Sequence, residues 1–404
     1  MGFSVHNEIV VAEGGVTAWL TILGAWLVFF ATLGYLYSFG VYQDFYTRFL
    51  LSTHTPGKIA WIGSLQLMMP FFLGAISGKL FDAGYFYVLE ISGAIVFTVS
   101  LFLSSLVQPQ SYYQVFLSQG VGMGLGLGLT FVPTAAIAVH HFKRRRALAT
   151  GIALSGGAIG SVIFPISIHL IPSIGYAKTV RASACIVLGF LIIGNLLMRT
   201  SYPSKDITEK ATKPDIKGFF TDPPYLLSNL GALLANFGIF FPMIYLQLYA
   251  IQHRIDPNLA FYSISLLNGM GAIGRVGGNF LADMYGPFNV FVPCTIINAG
   301  MIFAIFGIKT KEALIVFSIV FGLISGAWLS LSISGLATLA RRPDEVGART
   351  GIALAFSSFG ALGAAPAQGS LLTDMFLWDK AIIFSGVCAL KRVSMLRSML
   401  TRPI

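Results

Sequence analysis

The charges in this sequence are confined to short clusters, and between the clusters lie apolar runs of twenty or so residues. A run of that length is what an α-helix needs to cross the ~30 Å hydrocarbon core of a bilayer. Such runs fall near 17–42, 57–81, 85–106, 113–140, 147–172 and 179–198, and again near 224–251, 260–282, 288–308, 312–340 and 347–372. A twelfth, near 376–390, is short and doubtful as a span. In lipid a backbone must satisfy its own N–H and C=O groups, so such runs are helices. Charged residues make up 10% of the chain and the mean hydropathy is +0.78, whereas soluble domains carry about 25% charge. The expected fold class is an all-α polytopic membrane protein.

Several function classes drop out. Cys185, Cys294 and Cys388 each sit inside an apolar run without metal-ligand spacing, so neither a disulfide framework nor a metal centre is expected. There is no phosphate-cradling G-x-x-x-x-G-K-[ST] loop, and no Ser/His/Asp or Cys/His set can be assembled. The chain is therefore read as neither a nucleotide motor nor an enzyme, with no cofactor. A net charge of +10 in a membrane protein reports topology rather than nucleic-acid binding. With the N-terminus inside, seventeen of the 26 Lys and Arg fall on the cytoplasmic side, the expected bias. The densest cluster contains Lys143, Arg144 and Arg145. It reads first as a topology anchor and second as a gate or lipid contact. The expected location is the plasma membrane, with the vacuolar membrane as the alternative.

The end of the chain fits this scheme poorly. Apolar character stops at Leu390, and Lys391 and Arg392 follow eleven or twelve residues after Lys380. At ~1.5 Å per residue that segment reaches roughly 16 Å, about half a bilayer. Either the last span is short and these side chains snorkel, or the C-terminus is truncated or altered.

The two halves of the sequence echo each other at an offset near 200. Thr150–Leu154 (Thr-Gly-Ile-Ala-Leu) recurs as Thr350–Leu354, and Gly122, Gly126 and Gly160 match Gly322, Gly326 and Gly360. The turn from Leu80 to Gly84, with Asp82, has a counterpart from Leu281 to Gly286, with Asp283. The domain plan is a cytoplasmic N-terminus (1–16), a six-helix bundle (17–199), a central cytoplasmic loop (200–222), a second helix bundle (223–390) and a basic tail (391–404). Two six-helix bundles in parallel orientation form the plan of the major facilitator superfamily, which this chain resembles.

The residues of the two turns carry that resemblance further. Gly78-Lys79-Leu80-Phe81-Asp82-Ala83-Gly84 is similar to the superfamily's G-x-L-x-D-x-x-G-R-K signature between helices 2 and 3, without the closing basic pair. An aspartate there can hold a helix terminus of the neighbouring bundle and brace a gate, or simply cap its own turn. The resemblance gives Asp82, Asp283, Gly84, Gly286, Lys143, Arg144 and Arg145 gating or structural roles. Glu13-Gly14-Gly15 with Ala18-Trp19, and the stretch from His141 to Gly151, resemble helix-1 and helix-5 motifs of monocarboxylate-transporter-like proteins. Ser38 to Gln43 and Gly274 to Asp283 are similar to the fungal branch. Animal members have an aspartate where this chain has Gly271 and a lysine where it has Tyr37. Proton-coupled lactate symport is therefore in doubt for this chain.

Arg275 is the one Lys or Arg placed well within a run, and charges in spans are functional by default. Asn268 and Gly271 share its helical face, and Gly271, Gly274 and Gly278 leave room around it. It reads as a contact to an anionic cargo, as a gating contact, or as a side chain snorkelling to the cytoplasmic surface. Glu90 is a carboxylate a couple of turns inside a run. It reads as a proton-coupling site, a structural partner for Arg275, or an interfacial residue. Tyr37, Gln66, Thr134, Tyr245, Gln247 and Trp328 join Arg275 and Asn268 as candidate substrate-binding residues, each with helix packing as the competing role. The expected partners are a small-molecule cargo, an organic anion with or without a proton, and the lipid bilayer, with no nucleic acid. The leading reading is a secondary active or facilitative transporter of a small monocarboxylate or related metabolite. The alternatives are an efflux carrier for a fungal secondary metabolite and a non-transporting or truncated relative.

Overall fold

The computed structural model describes residues 14–200, 216–337, 346–372 and 377–400. Glu13, most of the central polar stretch, the side chain of Asp82, Arg341 and Arg342 lie outside the described residues. Among those described there are twelve long helical spans and no strand. They are α1 (Val16–Leu50), α2 (Gly57–Phe81), α3 (Phe86–Ser104), α4 (Tyr112–His140), α5 (Arg146–Ser167) and α6 (Tyr176–Leu197) in the first half. The second half has α7 (Pro223–Gln252), α8 (Pro257–Tyr285), α9 (Pro287–Gly307), α10 (Lys311–Ala337), α11 (Val346–Leu372) and α12 (Trp378–Leu400).

Ten of these spans are apolar and long enough to cross a membrane. The other two, α8 and α12, are long enough but interrupted by charge. α12 continues as helix past Leu390 to Leu400, 23 residues in all, or about 34 Å. The short twelfth span expected from hydropathy is thus corrected in length. The basic pair that ended the apolar run is carried on the helix itself.

Within each half, close packing follows glycine. A Cβ placed on Gly34 of α1 would stand 2.6 Å from the Cα of Gly160 on α5, and Gly360 of α11 abuts the backbone of Leu233 on α7 in the same way. The paired glycines of the sequence repeat therefore make the same kind of contact in both halves, as small residues do wherever helix backbones approach closely. The breaks in the helices have local causes. The Ser38 hydroxyl donates to the Gly34 carbonyl at 2.7 Å where α1 bends, a bond that competes with the backbone ladder. Pro70, Pro133, Pro242, Pro293 and Pro366 interrupt α2, α4, α7, α9 and α11.

The two halves meet along two helix pairs, α5 against α8 and α2 against α11. Here too the repeat is visible. Gly151 of α5 lies against the backbone of Arg275 on α8, and Gly351 of α11 lies against Ala75 of α2. The lipid-facing surfaces are apolar, as on α3, where Val88, Ile91, Ile95, Val99 and Leu103 form an exposed stripe at helical spacing.

Candidate functional site

Arg275 leaves α8 at the level where the two halves touch and crosses to the other one. Its Nη1 donates to the Leu154 carbonyl of α5 at 2.6 Å, and its guanidinium carbon stands 5.1 Å from the ring centre of Tyr37 on α1. The residue is 5% exposed, so the side chain does not reach the surface as a snorkelling arginine would. One of its five N–H donors is used by Leu154, and Nε meets no acceptor among the described residues. No carboxylate pairs with it in that set.

A second guanidinium faces the same space. Arg392 of α12 is 2% exposed and lies over the rings of Phe291 and Trp328, 4.9 and 5.0 Å from their centres. Its Nε also lacks an acceptor among the described residues. Trp328 is held in place by Nε1 donating to the Thr295 hydroxyl at 3.0 Å and by stacking on Phe291. Arg275 and Arg392 line one cavity between the halves, together with Tyr37, Phe131, Asn236 and Trp328. Its free volume is about 40 Å³, room for a few waters. A metabolite of ordinary size enters only when the halves have moved apart.

Magnitudes decide what such a cavity lacks. Removing an ion from water costs several kcal/mol even after relaxation, and a desolvated cation–π contact returns about 2 kcal/mol. Two buried cations with aromatic neighbours and no carboxylate leave positive charge uncompensated. An anionic group in the cavity, offered bidentate N–H donors, supplies the missing partner.

One end of the α5/α8 pair is fastened by Asp283 of α8. Its two carboxylate oxygens accept from the backbone N–H groups of Ala147 and Leu148 at 3.1 and 2.8 Å. The first N–H groups of a helix have no partner of their own, so α5 is capped by a residue from the opposite half. Gly286, just beyond, has φ +89°, a conformation that glycine adopts without strain, and Gly84 repeats it at φ +85° after α2. Lys143, Arg144 and Arg145 are exposed beside this cap. Asp283→Ala is expected to weaken closure of this end by about 1 kcal/mol, the typical value of a lost cap, and to lower initial transport rates several-fold. Asp283→Asn, which keeps one acceptor, should fall between; unchanged rates in both would show the cap to be idle.

The helix-1 and helix-5 motifs also touch. The Gly14 N–H donates to the His141 carbonyl at 3.2 Å, and Trp19 meets Phe142 edge-on at 5.0 Å. Gly14 and Gly15 take φ +95° and +105° there, which explains two glycines in a row. In the second half, a buried ion pair joins Arg349 at the start of α11 to Asp222 just before α7, at 2.7 Å. Arg349 also lies over Phe219, and its carbonyl accepts from the Tyr225 hydroxyl at 2.7 Å.

The remaining candidates are dispersed. Glu90 is fully buried between α3 and α4, where Oε1 accepts from Thr134 at 2.7 Å; it forms no ion pair with Arg275. The Tyr245 hydroxyl donates to the Ala365 carbonyl at 2.8 Å. Gln66 is fully buried, and its amide has no hydrogen-bond partner among the described residues. Asn268 and Gln247 are half-buried. Of the eight candidate substrate-binding residues, Tyr37, Arg275 and Trp328 come together on the cavity wall, and the other five lie off it. Arg392 and Asn236 also line that wall and were not among the candidates.

A family model described as the Major Facilitator Superfamily matches residues 15–362. The chain is 34% identical to the MFS-type transporter pynF of Aspergillus niger, over 94% of this chain and 88% of the relative. It is 34% identical to the aspyridones efflux protein apdF of Emericella nidulans, over 93% and 76%. It is 32% identical to a fujikurins efflux protein of Gibberella fujikuroi, over 94% and 81%.

Proposed function

Because the chain belongs to the Major Facilitator Superfamily, and so to a family of membrane transporters, we propose that it exports a small organic acid of secondary metabolism by alternating access. The observation that carries this reading is Arg275, a buried guanidinium without a carboxylate partner, reaching from one half to the other across the cavity. Relatives that are named efflux proteins favour export over uptake of a simple monocarboxylate. Gly271 and Tyr37, which stand where animal monocarboxylate carriers have an acid and a base, favour it too. The aromatic wall of Tyr37, Phe131 and Trp328 suits a cargo with an apolar body and an acidic head. The N-terminus and the Asp283 end of the bundle are placed on the cytoplasmic side, where the excess of Lys and Arg lies.

In this cycle the cargo binds when the Asp283 end is open, and its anion satisfies Arg275. The halves then close over it, and the opposite end opens. The test uses inside-out vesicles from cells expressing the chain, loaded with a proton gradient and offered a panel of acidic aromatic metabolites beside lactate and pyruvate. Accumulation of one or more of the larger acids is the expected result. Accumulation of lactate alone, or of no acid with or without the gradient, would sink the proposal. If Glu90 carries the proton, Glu90→Gln in the same vesicles makes uptake indifferent to the gradient.

A further inference from the structure

We propose that Arg392 forms a second anion subsite in the cavity, so that the cargo carries two acidic groups separated by an apolar body. The proposal rests on the reading of Arg275 as the first anchor and extends it to a substrate class.

Three observations carry it. First, Arg392 is 2% exposed and lines the same cavity as Arg275, from a different helix of the second half (α12 rather than α8). Second, its surroundings give it no anion: its contacts are the faces of Phe291 and Trp328, and its Nε meets no acceptor among the described residues. An arginine whose role was structural would use its donors on carbonyls or carboxylates, as Arg349 does on Asp222. Third, the stacked rings of Phe291 and Trp328 lie together on one side of the guanidinium, and aromatic rings take none of its N–H donors as carbonyls or carboxylates would, so the donors remain the part that can address a ligand. Planar, bidentate recognition of a carboxylate or an ionised enol uses those donors.

Once the halves have moved apart, a cavity with two buried guanidinium groups and no acid in its lining recognises a doubly acidic guest better than a singly acidic one. A monoacid satisfies one guanidinium and leaves the other buried and unpaired. A diacid satisfies both, provided its length matches the gap between them. The wall of Tyr37, Phe131 and Trp328 then lies against the body that separates the two acidic groups. The class is an organic diacid, or an acid bearing an additional acidic enol, with an apolar or aromatic middle.

The experiment is calorimetric titration of the purified full chain with matched probes: straight-chain diacids of increasing length, each beside the monoacid of equal length, and the three benzenedicarboxylates beside benzoate. The expected result is a preference of about tenfold or more for one diacid over its matched monoacid in the unmodified protein. Arg392→Gln should bring that ratio to about one, and Arg392→Lys, which keeps the charge but not the fork, should restore part of it. The unmodified protein provides a test that needs no variant: if no diacid in any series binds better than its monoacid, the proposal is overturned. It is equally overturned if Arg392→Gln binds ligand and keeps the preference. The double variant Arg275→Gln/Arg392→Gln separates the two readings. Monoacid binding that persists in Arg392→Gln and is lost in the double variant supports the first anchor, whereas monoacid binding that survives in the double variant sinks the reading of Arg275 itself.

Discussion

Arg275→Gln is expected to lower kcat/KM for acid export by roughly two hundred-fold while leaving the protein folded. The loss follows from two charge-assisted hydrogen bonds to the cargo at about 1.5 kcal/mol or more each, together about 3 kcal/mol. The sign of the stability change runs the other way. In the empty protein Arg275 is a buried cation with one carbonyl partner and one aromatic neighbour, and removing such a charge is neutral or stabilising. The variant should therefore express at normal levels and melt at the same temperature or higher. That combination, failed transport in a sound protein, distinguishes a cargo contact from a structural arginine. Full export by the variant, or its loss from the membrane, would remove Arg275 from the binding site.

Gly151→Leu is expected to cut turnover as deeply by a different route. A Cβ at position 151 would stand 2.5 Å from the carbonyl oxygen of Arg275 and 2.9 Å from the Asn279 side chain. Those atoms belong to the other half, so the clash exists only when the halves are together at that level. A leucine acts there as a wedge and biases the protein towards the state in which this end is open. A penalty of about 3 kcal/mol on the closed state, in the range of overpacking, shifts the population by roughly two hundred-fold, and export falls to the same extent. Gly274→Leu serves as the contrast. Gly274 abuts the Leu323 backbone on α10, within one half, so that variant should fail to fold rather than fail to close. A cysteine-accessibility assay across the cavity reads the difference: the Gly151 variant should be labelled from the Asp283 end only. Ordinary turnover by Gly151→Leu would mean that this contact does not open during transport.

What the sequence disclosed, and what it hid, follows from the range over which each signal is written. Spans are local and strongly apolar, so eleven of the twelve could be placed from hydropathy. The repeat of Thr150–Leu154 at Thr350–Leu354 pointed to two similar halves, and both copies place their glycine on the contact between halves. Arg275 stood out because its helix carries few other charges. Arg392 did not, because it follows Lys391 and the two read as one basic pair ending a span. On a helix, adjacent residues point about 100° apart: Lys391 is exposed, whereas Arg392 continues the buried face of Ile382, Ser385 and Ala389. A count at spacings of three and four would have exposed it, where average hydropathy does not. The Asp222–Arg349 pair lay beyond any local pattern, its members being 127 positions apart.

That pair bears on how the second half moves. Asp222, just before α7, is pinned to the root of α11, with the Tyr225 hydroxyl riveting the same spot. A displacement at the start of α7 is therefore delivered to the helix that faces α2, and the two helices act as one lever at the contact between the halves.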